Sequence, residues 1–169
     1  MSPRLGFLCA LAVAAANPAC GDPTHDDAVS ALGPEQTGVP KGPDHRPGQP
    51  CLACHGGDGP ARLVMAFGGT VYAHEHAEDP APNATVRVVG ADRRTYETTT
   101  NCVGNFWIPA HEFEPLLPAG AAVTSGSTSR VMRTQMHRTG SCNECHSKAE
   151  DTTSPGRVWV LPADQEPSF

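Results

Sequence analysis

Residues 62–72 read RLVMAFGGTVY, and three more short runs follow: ATVRVV at 84–89, RTYETTT at 94–100 and NFWI at 105–108. Each is rich in β-branched or aromatic residues and bounded by turn formers, the pattern of short strands. Val86 and Val88 alternate with Thr85 and Arg87, the period of a half-buried strand. GADRR at 90–94 and NCVGN at 101–105 are the turns between them. No helical period runs through this part of the chain.

Working outward, residues 109–129 return to loop composition, residues 130–135 suit one more strand, and RVWVL at 157–161 suits a last one that closes the sheet structure. The expectation is a mainly β fold with little helix, a small sandwich with long loops. The domain spans 45–169, with sandwich segments at 62–135 and 157–161. Seventeen Gly and seventeen Pro, together about a fifth of the chain, demand much loop. Only 38% of residues are hydrophobic and 5% aromatic, a thin basis for a conventional core. The net charge is −6 and no basic run appears, which argues against a nucleic-acid partner.

The runs carry a resemblance. GGTVY, APNATVRVV and TYETTTNCVGNFWI are similar to the carboxypeptidase-regulatory-like, transthyretin-like β-sandwich module, through Gly69, Thr70, Val71, Ala84, Thr85, Val86, Thr100, Asn101, Gly104 and Phe106. Asn83 stands where that family has glycine. The resemblance covers roughly residues 66–110 and implies an Ig-like or transthyretin-like binding or structural scaffold. Gly104 would supply a positive-φ corner, and Phe106 would turn into the core.

Two segments outside the strands carry chemistry. Residues 51–55 read CLACH and residues 142–146 read CNECH. Two cysteines separated by two residues, with histidine next, is the c-type haem attachment spacing. The thiols Cys51, Cys54, Cys142 and Cys145 can add to porphyrin vinyl groups, and His55 and His146 can ligate the iron. Random placement of seven cysteines and eight histidines over 169 positions yields roughly 0.01 such motifs. The expectation is two covalent haem c groups, in segments 45–60 and 136–150. A four-cysteine zinc site is the first alternative, although its pairs would be far apart in the chain. A thiol redox motif is the second, although the flanks GPDHRPGQP and GGDGPA are turn chemistry.

Distal ligands are sought nearby. His45 precedes Cys51 by six residues, and His137 precedes Cys142 by five, with Met136 beside it as a rival. A second histidine would lower the potential and methionine would raise it. His74 and His76 form an H-x-H that reads as an exposed loop pair or, on a strand end, as a ligand pair. Cys102 sits in the NCVGN corner, either as a buried free thiol, at a haem edge, or paired with Cys20. His25 and His111 carry no pattern.

Residues 1–19 have the form of a secretory signal peptide: Arg4, then an apolar stretch from Leu5 to Ala16 too short to span a bilayer, then small residues. Ala19-Cys20-Gly21 resembles the end of a bacterial lipobox, which implies lipidation of Cys20 and a membrane anchor. Asn17 stands where the usual lipobox has leucine, and plain cleavage near Ala19 is the other reading. Residues 20–44, with repeated proline, are expected to be a disordered tether. As a whole the pattern resembles the β-sandwich dihaem cytochrome c-like lipoproteins of predatory or soil bacteria. That resemblance implies electron transfer with a redox partner protein in the periplasm or at the outer membrane of a Gram-negative cell. A non-redox binding module with zinc or disulfides, and a haem peroxidase, are the competing functions.

Overall fold

The computed structural model describes residues 22–161 except 36, 40 and 149. The signal segment and Cys20 lie outside the described residues. Among the described residues, seven strands form two sheets: β1 (Met65–Tyr72), β2 (Thr85–Val89), β3 (Thr95–Thr99), β4 (Asn105–Pro109), β5 (Gly120–Ser125), β6 (Thr128–Val131) and β7 (Val158–Trp159). One sheet has the order β4-β1-β7 and the other β3-β2-β5-β6. The fold is mainly β, a small sandwich. Val71 and Phe106 of one sheet meet Val86 and Val123 of the other in the core, which Val160 and Leu161 complete.

The hairpin turns form where the residues demand them. Gly90 N–H donates to Arg94 O at 3.0 Å, and Arg93 takes a positive φ of 64° between β2 and β3. At the second corner Gly104 has φ 78°, and a Cβ there would stand 2.2 Å from Val71 O, so only glycine fits. Phe106 is buried as expected. Asn83 has φ 58°, a left-handed conformation that asparagine adopts more readily than most residues.

Several elements differ from the reading above. Residues 120–125, taken as loop, are β5, paired on one side with β2 and on the other with β6. GAAVTS lacks large strand formers, and its place is set by cross-strand pairing with only Val123 well buried. The strand expected at 130–135 comes earlier, at β6. Within the expected tether, Pro23–Ala31 forms a helix, α1. Proline is tolerated in its first turn, and Asp22 Oδ1 accepts from Thr24 N at 3.0 Å as the cap. Arg46 holds the far end by donating to Leu32 O at 3.2 Å and Gly33 O at 2.7 Å. The two cysteine motifs are single helical turns, α2 (Cys51–His55) and α3 (Cys142–Cys145).

β1 organises the rest. Its side chains are buried almost throughout instead of alternating, because both of its faces are covered. Along its free edge, Gly68 N donates to Gly140 O at 3.1 Å and Thr70 N to Asn143 Oδ1 at 2.8 Å. β7 then pairs parallel to Val71 and Tyr72. The segment entering α3 therefore completes the edge that β7 is too short to fill.

Candidate functional site

Both cysteine motifs are built onto the Gly68-Gly69 pair of β1. Successive residues of a strand point to opposite faces, so each glycine opens one face. A Cβ at Gly68 would lie 3.1 Å from Cys51 Cβ, and one at Gly69 would lie 2.8 Å from Cys142 Cβ. The dipeptide is what lets both turns approach the strand.

Polar side chains lock the approach. Thr70 Oγ1 accepts from Gly48 N at 2.7 Å and donates to Asn105 Oδ1 at 2.8 Å. Asn105 Nδ2 donates to His45 O at 2.9 Å. Asn101 Nδ2 donates to Pro43 O at 2.7 Å and Asp44 Oδ1 at 2.8 Å, while Asn101 Oδ1 accepts from Asn105 N at 2.8 Å. The corner before β4 thus pins the segment that carries His45. None of these roles was read from the sequence. The one available signal was glycine twice inside a strand, which marks close approach of another backbone.

The histidines are oriented alike. His55 Nδ1 meets Leu63 O at 2.8 Å, His146 Nδ1 meets Gly156 O at 2.6 Å, and His45 Nδ1 meets Gly42 O. A carbonyl only accepts, so each Nδ1 is the donor, the tautomer that in a neutral ring leaves Nε2 as the acceptor. That is the arrangement in which a metal-binding histidine is held by its second nitrogen. The His45 and His55 rings are 5.9 Å apart between centroids, tilted by 45°. Two imidazoles on opposite sides of one metal ion, with bonds of about 2 Å, have centroids roughly 6 Å apart. The separation of the His45 and His55 rings is close to that value.

Around the second motif a cleft of about 740 Å³ opens between the sheets. Val71, Val86, Val88 and Phe106 form its apolar wall, and Cys142, Cys145 and His146 line it too. Its volume is that of a site that encloses most of a small ligand. Arg130 lines it with its guanidinium 3.0 Å from the centroid of the Trp159 ring, and Arg133, Arg138 and Arg157 contribute further cations. Met136 and His137 both line the cleft. Met136 packs against the cluster of Phe67, Val88 and Ile108, whereas His137 is exposed. Among the described residues, His137 makes no ring contact with His146 like that of His45 with His55.

Other expected residues fall elsewhere. His74 and His76 lie in a bend and a turn past the end of β1, so strand alternation does not align them. Cys102 is an exposed free thiol, not a buried one. Burial pushes the Cys51 thiol up to about 11 and the Cys142 thiol up to about 12. A redox-active CxxC depends on a lowered thiol pKa, so the shift opposes a thioredoxin-like role. Among the described residues, no three His, Cys, Asp or Glu side chains converge as a ligand set. Among the described residues, no helix is long and apolar enough to cross a membrane. No protein family, curated protein or solved structure matches the chain.

Proposed function

We propose that this protein is a c-type cytochrome that carries two covalent haems and transfers electrons in a bacterial cell envelope. The observation that carries the reading is the shared preparation of its histidines. In both CxxCH turns the histidine Nδ1 is committed to a backbone carbonyl, and the His45 and His55 rings lie 5.9 Å apart, a separation compatible with two ligands of one metal ion. A haem bound here supplies one-electron chemistry at iron. The chain's part is to attach it through Cys51 and Cys54 or Cys142 and Cys145, to orient His55 and His146, and to exclude water. At the second motif the apolar cleft would enclose the ring, and its arginines match the two carboxylates at the ring edge. His45 closes the first site on its distal side, which favours an electron carrier over a peroxidase. Met136 or His137 would serve the second site.

Mass spectrometry after expression with c-type maturation machinery should show two haem additions that survive acid–acetone extraction. A bare polypeptide mass would overturn the reading in favour of a non-redox binding sandwich. Export and lipidation at Cys20 belong to the same proposal. Cys20→Ser should move the protein from the membrane to the soluble periplasmic fraction, and identical fractionation would remove the anchor.

A further inference from the structure

The two attachment turns stand on opposite faces of the same two residues. Cys51 packs on Gly68 and Cys142 on Gly69, each with Cβ atoms 3.1 Å or less from the glycine's Cβ position. Consecutive Cα atoms are about 3.8 Å apart, so the two cysteine Cβ atoms lie within about 13 Å of each other. Thr70 hydrogen-bonds to both segments. Thr70 accepts from Gly48, three residues before Cys51, and donates its N–H to Asn143, inside the second motif. Thr70, Asn105 and Asn143 are all buried, so this tie is shielded from water.

We propose that Gly68, Gly69 and Thr70 mount both haem-attachment turns as one rigid unit, so that the two attached haems interact and exchange electrons directly across β1. This rests on the reading that both motifs carry haem. The exchange is one electron leaving the reduced iron and entering the oxidised one, balanced within the chain. Two haems mounted on adjacent residues would also sense each other's charge, so reduction of one site lowers the potential of its neighbour.

The test is electron paramagnetic resonance of the full-length, matured protein, after the haem count has been established by pyridine haemochrome assay. Fewer than two haems per chain would defeat the underlying function, not the coupling. With two present, the fully oxidised protein should give lines broadened by the neighbouring spin. Reduction by one electron per chain should narrow the remaining signal. A remaining signal with unchanged width and relaxation would show two independent haems and overturn the proposal. Thr70→Val, which removes the hydroxyl that joins Gly48 to Asn105, should lessen the broadening while haem content stays at two. Unchanged broadening in that variant would exclude Thr70 as the tie.

Discussion

Asn105 sits in β4 with its backbone paired to Thr70, and its side chain reaches out of the sheet to the carbonyl of His45. It is 6% exposed, so losing the amide would strand buried partners at a cost of about 1–3 kcal/mol. His45 owes its position to that bond and to Asn101 on the neighbouring loop. On the proposal that both motifs carry haem, His45→Ala should turn one of the two haems high-spin and open it to carbon monoxide, with covalent attachment intact. Asn105→Ala should give a partial version of the same spectrum, because the imidazole stays but its anchor goes. If both haems in His45→Ala remain low-spin and closed to carbon monoxide, the ligand is another group. At this scale the two CxxCH motifs stood out from spacing alone. The residues that aim them did not, since an asparagine in a turn and one in a strand carry no sign of what they will hold.

The elements show where pattern reading succeeds. β1, β2, β3 and β4 were visible because valine, threonine and aromatics crowd short runs between turn formers. β5 escaped because its small residues take their conformation from neighbours on both sides. α1 escaped because prolines mask a capped helix that begins on one of them. The loop after α3 is likewise held by local polar bonds. Asp151 Oδ1 accepts from Thr153 N at 2.7 Å and Ser154 N at 2.9 Å, and Oδ2 meets Lys148 Nζ at 2.6 Å. Ser154 Oγ then donates to Cys145 O at 3.0 Å, and Gly156 O receives His146. The Lys148 ammonium, followed by the loop N–H and hydroxyl donors, holds the Asp151 carboxyl well below the usual carboxylate range. A carboxyl depressed on folding stabilises the fold above its unfolded pKa of about 4, and that stabilisation fades as pH falls toward the folded value. Wild type should melt above Asp151→Asn at neutral pH, and the gap should close well below about pH 4. An equal gap at both ends would mean the charge is irrelevant to the loop.

Across the whole molecule the two motifs occupy different mechanical positions. The first lies on the outer side of β1, with its histidine held to Leu63 O next to the surface. The second opens into the cleft between the sheets, whose walls are the core residues Val71, Val86, Val88 and Phe106. A chain with 38% hydrophobic residues has little apolar material to fill that space by itself. A covalently held ring there would complete the core, and its removal would act as a large-to-small core substitution, on the order of 3–5 kcal/mol. The hollow beside the first motif is smaller, about 390 Å³, and meets the core at Met65 and Phe67. Replacing Cys142 and Cys145 with alanine should therefore lower the melting temperature far more than replacing Cys51 and Cys54. Thermal melts of the two single-haem proteins, each confirmed to carry one haem, compare them directly. Equal losses, or a larger loss from the first pair, would mean that the second haem lies outside the cleft and that the sandwich holds itself together without it.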